Sequence, residues 1–225
     1  MYKINQKSNK ELSTGDDITA TNTGDESTTT NAGDWSVATN TGYQSTAENT
    51  GDRSVATNTG DWSVVTNTGD RSIATNAGNL SVTTNTGDRS AATNTGDRSV
   101  ATNTGNLSFT ANTGDCSVTT NTGDWSVAVN TGDWSVATNT GDWSAATNTG
   151  YRSAALVEGE ESVALALGYE SKAKGALGCW LVLAMWEMKE GERHITDVQC
   201  VRVDGDRIKP DTFYTLKNGK FVEST

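Results

Sequence analysis

A strict nine-residue repeat runs through most of the chain and constrains its fold more than any other feature. Glycine recurs at every ninth position from Gly15 to Gly168, which gives 18 repeats of the form G-D-x-S-V-A-T-N-T without insertion or deletion. Serine occupies the fourth place in 17 consecutive repeats, and asparagine occupies the eighth place in 15. A fixed period of this kind indicates a repeat architecture in which each unit stacks on its neighbours.

The composition of the repeat favours short strands joined by turns. Each unit combines β-branched residues with one Gly-containing turn signal, and proline is absent before Pro210. Thr, Asn and Gly are poor helix formers. The sequence therefore predicts an all-β fold, a parallel β-solenoid or β-roll over residues 15–176.

Side-chain alternation along a strand predicts which places of the repeat face inward. The third place holds Trp, Arg, Leu, Cys and Glu, and it must face solvent because burial of unpaired charge is costly. The fourth-place Ser, the small sixth-place residue and the eighth-place Asn then face inward, where stacked amides can bond coil to coil. We expect the glycine to supply the tight corner.

Two coil geometries fit the period. Two repeats per coil give about nine two-sided coils that rise about 43 Å at ~4.8 Å per coil. A three-sided coil of 27 residues is the alternative, and the similarity of Arg71–Leu80 to Arg98–Leu107 supports it. We favour the two-sided coil.

The last repeats resemble those of a known family. The run from Glu161 to Ala173, E-S-V-A-L-A-L-G-Y-E-S-K-A, resembles the head repeats of YadA-like trimeric adhesins. That resemblance implies left-handed parallel β-rolls with Ser and Ala inside the coil, and outward valines that face another subunit.

The two ends differ from the repeats. Residues 1–14 are polar and predict a flexible arm. Residues 177–225 predict a small antiparallel β domain that caps the solenoid or assists assembly, with strands at Cys179–Met188, His194–Val203, Thr212–Leu216 and Lys220–Glu223. This segment resembles an uncharacterised small domain of phage and prophage repeat proteins, which implies a mobile-element origin.

Little in the chain suggests catalysis or a cofactor. His194 is the only histidine, and Cys179 and Cys200 lack the second pair of ligands that a zinc site needs. We interpret both thiols as core residues and the Gly-Asp pairs as turns, with weak calcium binding at those turns left open. The longest apolar run has eight residues, far short of a membrane span, and no secretory signal precedes it. We expect a non-enzymatic protein with no cofactor, metal site or membrane segment.

Charge suggests the first functional hypothesis. The formal net charge is −11, and twelve repeats carry Asp in the second place. The preferred hypothesis is an acidic decoy or inhibitor that occupies the basic cleft of a host nucleic-acid-handling protein in the host cytoplasm. The candidate binding row is Asp115, Asp124, Asp133 and Asp142. Direct binding of nucleic acid is disfavoured because both molecules are negatively charged.

Aromatic and hydroxyl rows suggest two alternatives. The row Trp35, Trp62, Trp125, Trp134 and Trp143, beside an apolar fifth place, predicts either a homo-oligomer interface or a virion fibre or adhesin module that binds a surface glycan. Thr-Asn-Thr triplets suggest ice binding instead. Against ice binding stand bulky Trp and Arg, which we expect on the same strand face. The Thr rows are also interrupted, at Ala32, Glu48, Ala77, Ala111 and Val129.

Overall fold

A computed structural model describes residues 2–6 and 10–224, and these residues contain strands and turns but no helix. The strands are β1 Tyr2–Gln6, β2 Lys10–Ser13, β3 Ile18–Asn22, β4 Thr28–Asn31, β5 Val37–Asn40, β6 Thr46–Asn49, β7 Val55–Asn58, β8 Val64–Asn67, β9 Ile73–Asn76, β10 Val82–Asn85, β11 Ala91–Asn94, β12 Val100–Asn103, β13 Phe109–Asn112, β14 Val118–Asn121, β15 Val127–Asn130, β16 Val136–Asn139, β17 Ala145–Asn148, β18 Ala154–Val157, β19 Val163–Ala166, β20 Lys172–Gly175, β21 Trp180–Lys189, β22 Glu192–Arg202, β23 Phe213–Lys217 and β24 Lys220–Ser224. The predicted parallel β-solenoid is confirmed.

The solenoid has two sides. Odd-numbered strands up to β21, followed by β22, form one sheet, here called sheet A; even-numbered strands up to β20, followed by β23 and β24, form sheet B. Each repeat strand pairs in parallel with the strand 18 residues further on, so that Val82 lies opposite Val100. This register confirms the two-sided coil and excludes the three-sided alternative.

The first coil begins earlier than the repeat does. Residues 1–14 were expected to form a flexible arm, but β1 pairs with β3 and β2 pairs with β4, both in parallel. The structure therefore has about ten coils instead of nine. The pairing uses backbone groups, so it does not require the repeat consensus that the first residues lack.

Small and polar side chains fill the interior, as the alternation predicted. The fourth-place Ser, sixth-place Ala and eighth-place Asn are almost completely buried along the whole solenoid. The Ser hydroxyls link successive coils: Oγ of Ser54 accepts the backbone N–H of Ser36 at 3.1 Å and donates to the carbonyl of Gly33 at 3.2 Å. Because these buried Ser hydroxyls have partners, the polar core is tolerated. Among the described residues, the buried hydroxyls of Thr29, Thr83 and Thr110 have no hydrogen-bond partner.

The buried amides do not bond to one another as the sequence suggested. In the described residues they bond to backbone groups across the coil: Nδ2 of Asn76 donates to the carbonyl of Ser63 at 3.1 Å, and its Oδ1 accepts the N–H of Gly78 at 3.2 Å. The Nδ2 bond recurs from repeat to repeat and joins the two sides of the coil, whereas Oδ1 of seven asparagines, Asn67 and Asn130 among them, has no hydrogen-bond partner in the described residues.

The repeat glycine has a different role from the one expected. None of these glycines has a positive φ; the left-handed residue of each turn is in the third place, such as Arg53 with φ of 57°. A Cβ on Gly87 would lie 2.0 Å from the carbonyl oxygen of Gly69 in the preceding coil. Glycine is needed because the stacked turns approach each other closely, not because it supplies the corner.

The C-terminal strands lie close to their predicted positions and continue both sheets. Strand β21 pairs in parallel with β19 and in antiparallel fashion with β22, while β23 pairs with β20 and β24. Leu181, Leu183 and Tyr214 pack with Val157 and Ala166 of the last coils, and Nε1 of Trp186 donates to the carbonyl of Leu167 at 2.9 Å. These strands cover the end of the solenoid as a cap.

Candidate binding site on the turn edges

The turns form two columns, one along each edge of the flattened rod. We call the turns that lead from sheet B into sheet A the first edge, and those that lead from sheet A into sheet B the second edge. Successive turns on one edge are 18 residues apart in sequence and about 4.8 Å apart in space. Second-place and third-place residues lie on these edges and not on the sheet faces.

The predicted acidic row is divided between the two edges. Asp124 and Asp142 lie on the first edge and Asp115 and Asp133 on the second, because neighbouring repeats alternate between edges. The four carboxylates were expected to act together, but each edge contains only two of them. This correction follows from the 18-residue coil, which a nine-residue period does not reveal.

The second-place carboxylates hold the turns together. Oδ1 of Asp124 accepts the backbone N–H of Asp142 at 2.9 Å, and Oδ1 of Asp115 accepts that of Asp133 at 2.8 Å. The same bond repeats from coil to coil along both edges, with Asn106 and Asn79 in place of Asp at two points. One oxygen of each carboxylate thus completes the backbone hydrogen bonding, which leaves Oδ2 for solvent or a ligand.

The aromatic row is divided in the same way. Trp35, Trp125 and Trp143 lie on the first edge, and Trp62 and Trp134 lie on the second. The rings of Trp125 and Trp143 stack with centroids 5.2 Å apart. All five indoles are at least half exposed. We had expected them beside the outward valines of the sheet faces, but they lie on the edges instead.

Sequence reasoning missed a second aromatic group near the cap. On the second edge the chain Trp134, Tyr151, Tyr169 and Trp186 forms successive ring contacts with centroids 5.7 to 6.4 Å apart. Arg193 lies over Tyr169 at 4.1 Å, and Arg152 lies over Trp134 at 5.0 Å. The hydrogen bond from Arg152 lowers the pKa of the Glu170 carboxyl, so this ion pair persists into moderately acidic solution.

The third place has a backbone conformation that its side chains do not favour. Trp35, Arg71 and Trp125 have φ of 56 to 57°, and every third-place residue from Asp17 to Glu170 lies in the same left-handed region. Gly and Asn adopt this region most readily, yet neither occurs in the third place. Turn geometry therefore does not explain why Trp, Arg and Leu occur here, and strained, exposed positions of this kind are candidates for a functional surface.

The first edge contains a long open groove of ≈ 660 Å³. Its lining consists of the second-place and third-place residues of six successive coils: Asp34, Trp35, Asp52, Arg53, Asp70, Arg71, Asp88, Arg89, Asn106, Leu107, Asp124 and Trp125. Indoles stand at both ends and Arg53, Arg71 and Arg89 form a row between them. Six coils extend over about 24 Å, the length of five coil spacings. The 18-residue spacing of these arginines was the sequence signal that could have revealed the groove.

The remaining reactive groups are dispersed. Cys179 is buried and its Sγ donates to the carbonyl of Gly159, and burial raises the pKa of this thiol. Cys200 was expected in the core but is exposed on β22, as is Cys116 on the second edge. Within residues 2–6 and 10–224, no group of three or more His, Cys, Asp or Glu side chains could hold a metal ion. The same residues contain no helix that could span a membrane.

Comparison of the chain with protein-family models, curated proteins and solved structures found no match.

Proposed function

We propose that this protein is a non-enzymatic binding rod that holds a linear, uncharged glycan in the groove of the first edge. The observation that carries the proposal is the occurrence of Trp and Arg in strained, exposed third-place positions along one continuous groove. This function corresponds to the fibre or adhesin hypothesis, with the binding surface reduced to one edge of the rod.

The groove offers the groups that a neutral sugar polymer needs. Trp35 and Trp125 are 58% and 60% exposed. The Arg53 guanidinium covers one face of Trp35 at 4.8 Å and Trp125 stacks on Trp143, so the remaining exposed ring surface is what these indoles offer to sugar rings. Between them guanidinium donors alternate with free carboxylate oxygens, which suits hydroxyl groups that both donate and accept. The coil spacing of about 4.8 Å is comparable to the length of one sugar unit, so each coil presents the same groups to successive sugars.

The balance of charge supports a neutral ligand over an anionic one. The groove contains five carboxylates and three guanidinium groups, and the whole chain is strongly negative. A polyanion would be repelled by this field. A neutral polymer is not repelled by this field, and it can form hydrogen bonds with both the carboxylates and the guanidinium groups.

Affinity measurements with linear neutral oligosaccharides of glucan, xylan, mannan and galactan type test the proposal. Trp35→Ala and Trp125→Ala should each weaken binding of the recognised glycan about tenfold, whereas Trp62→Ala, an equally exposed third-place residue on the second edge, should leave it unchanged. If no neutral glycan binds, or if all three variants lose affinity equally, the groove is not the site.

The acidic-decoy hypothesis stays a prediction. The hydrogen-bonded second-place residues along the two edges allow a direct test of it. Asn serves in place of Asp at Asn106 and Asn79 with the same backbone bond. Replacement of Asp115, Asp124, Asp133 and Asp142 by Asn should therefore remove charge but keep the fold. Loss of binding to a basic nucleic-acid-handling protein in this variant, with salt-sensitive binding by the parent, would support the decoy. Phage origin and a cytoplasmic location likewise stay predictions.

One specific observation favours ice binding as a second candidate. The outer face of sheet B between β8 and β16 has three unbroken columns: valine in the fifth place, and threonine in the seventh and ninth. Thr66, Thr84, Thr102, Thr120 and Thr138 are successive neighbours in the register. Ala77, Ala111 and Val129 belong to sheet A, while Ala32 and Glu48 lie on sheet B before this array. Trp and Arg lie on the edges, so the steric objection raised by the sequence no longer applies.

Such an array places hydroxyls about 4.8 Å apart between coils and about 6.6 Å apart along each strand, a lattice with no charged residue in it. Thr102→Lys with Thr104→Lys should abolish inhibition of ice growth, measured as thermal hysteresis. Thr93→Lys with Thr95→Lys, at the same places on sheet A, is the matched control. Absence of hysteresis in the parent protein would exclude this candidate.

A further inference from the structure

The outer face of sheet A has an apolar area next to the cap, where the repeats depart from their consensus. Its central members are Phe109, Val127, Val129, Leu165, Trp180 and Val182, and we call this area the sheet A patch. In the sequence these residues are dispersed over more than 70 positions, and each looks like an isolated departure from the repeat consensus. In the fold they lie on strands β13, β15, β19 and β21 of one sheet, with only β17 between β15 and β19.

The strand register makes the patch contiguous. Phe109 lies opposite Val127, Val163 opposite Trp180, and Leu165 opposite Val182. Ala145 of β17 bridges Val127 and Val163. The patch therefore extends without a gap from β13 to the cap strand β21, and Cys200 of β22 continues it opposite Val182.

The members of the patch are uncharged and partly exposed, and Arg202 of β22 lies opposite Trp180 at its border. Phe109 is 43% exposed and Trp180 38%, and Cys200 is also exposed. No fifth-, seventh- or ninth-place residue of sheet A from Thr19 to Leu167 carries a charge. On sheet B, Thr120 and Thr138 keep the hydroxyl of the consensus, Leu156 replaces the next threonine, and lysines follow at Lys172 and Lys174. Apolar side chains in the seventh and ninth places are thus more numerous on sheet A.

We propose that the sheet A patch is the interface through which two copies of this chain associate face to face. A second copy fits because flat, regular faces with the same coil spacing are complementary to each other along their length. Charge also favours a copy of the same chain in this orientation. The carboxylates are on the edges, so two strongly acidic rods can meet through sheet A while their charges stay in solvent and are screened.

The available area suits a weak, reversible dimer. A two-fold axis along β17 pairs seven strands of each copy, from β11 to β22, over about 29 Å by about 16 Å, the length of five residues. This corresponds to about 460 Å² per copy and about 930 Å² in total, the size of a weak or transient interface. Thr147 of β17 lies at the centre, between Val129 and Leu165, while Thr93 and Thr95 lie at the end of the area that is furthest from the cap.

Sedimentation equilibrium of the full chain over a wide concentration range tests the proposal. We expect the parent to form a concentration-dependent dimer. Phe109→Lys with Val127→Lys should weaken dimerisation at least tenfold and yield monomer. The matched control is Val118→Lys with Val136→Lys, which introduces the same charges in the same fifth place on sheet B and should leave the dimer intact. A monomeric parent, or equal dissociation by both double variants, would overturn the proposal.

Thiol labelling of the unmodified protein gives a second measurement that does not depend on whether the lysine variants fold. Cys200 adjoins the patch, whereas Cys116 is exposed on the second edge and Cys179 is buried. Labelling of Cys200 by a maleimide should slow by at least fivefold at concentrations that favour the dimer, while labelling of Cys116 should not change. Equal and constant rates at both cysteines would contradict an interface on sheet A. The dimer does not depend on glycan binding, so either proposal can fail without the other.

Discussion

Oδ1 of Asp34 accepts a hydrogen bond from the backbone N–H of Asp52 at 2.9 Å, although 18 residues separate the two. Asp52 in turn accepts the N–H of Asp70 at the same distance, and the series continues along the first edge. A carboxylate that the sequence presents as surface charge is therefore also part of the backbone ladder. The acidic edges and the stability of the turns have a common origin.

Substitution of Asp70 separates these two roles. Asp70→Ala removes the acceptor for the N–H of Asp88, 2.9 Å away, and should lower the free energy of unfolding by about 1 kcal/mol. Asp70→Asn keeps an acceptor and should have little effect, as Asn106 does in the native chain. Thermal unfolding of the two variants measures the difference. Equal losses would show that charge, and not the hydrogen bond, stabilises the edge.

Two glycines of the repeat should respond very differently to alanine. A Cβ on Gly87 would lie 2.0 Å from the carbonyl oxygen of Gly69, whereas among the described residues a Cβ on Gly15 would meet only the side chain of Ile18. Gly87→Ala should therefore separate two coils and destabilise the rod by several kcal/mol, roughly the range of severe steric substitutions. Gly15→Ala should fold normally, because the Ile18 side chain can move. Similar melting curves for both variants would refute close approach as the reason for the repeat glycine.

Arg71 provides a test of the strained third place. Asn tolerates the left-handed conformation that Arg71 adopts at φ of 57°, so Arg71→Asn should raise the free energy of unfolding by up to about 1 kcal/mol. Arg71→Ala removes the same guanidinium without relieving the strain and should not be stabilising. Both variants should weaken glycan binding to a similar degree. A destabilising Arg71→Asn would remove the argument that function maintains this residue.

Deletion of residues 177–225 tests the cap. It removes strand β21 from β19 and strand β23 from β20, which leaves two sheet edges and the apolar residues around Val157 open. Exposed sheet edges associate readily, so the truncated chain should form aggregates or fibres while its circular dichroism stays β-like. Light scattering records the outcome. A truncated chain that remains soluble and of unchanged size would show that these strands do not protect the end of the rod.

Much of the fold could be predicted from the sequence because the inward-facing residues and the backbone turns repeat with the same nine-residue period. The alternation of Ser, Ala and Asn with variable residues identified the interior, and Asn218-Gly219 located the last turn, between β23 and β24. The start of the solenoid was not predictable from pattern, since β1 pairs with β3 although its residues lack the repeat consensus. Nor was the role of glycine, because contacts between coils decide it.

The candidate site was less predictable for a geometric reason. A nine-residue period is compatible with any number of repeats per coil, so it does not show which repeats share an edge. Trp35 and Trp62 look equivalent in the sequence but lie on opposite edges, and Arg53 and Arg71 become neighbours only once the coil has 18 residues. The groove and the sheet A patch both exist only because each coil contains 18 residues.

Calorimetric titration with neutral oligosaccharides of increasing length tests the central claim most directly. Each coil along the first-edge groove offers similar groups, and the groove ends at Trp35 and Trp125. Affinity should therefore rise with each added sugar until the ligand spans about 24 Å, the length of six stacked coils, and then level off. The Trp125→Ala variant should level off at a shorter ligand. An affinity that does not depend on ligand length, or that is the same in Trp125→Ala, would contradict a linear glycan site along this edge.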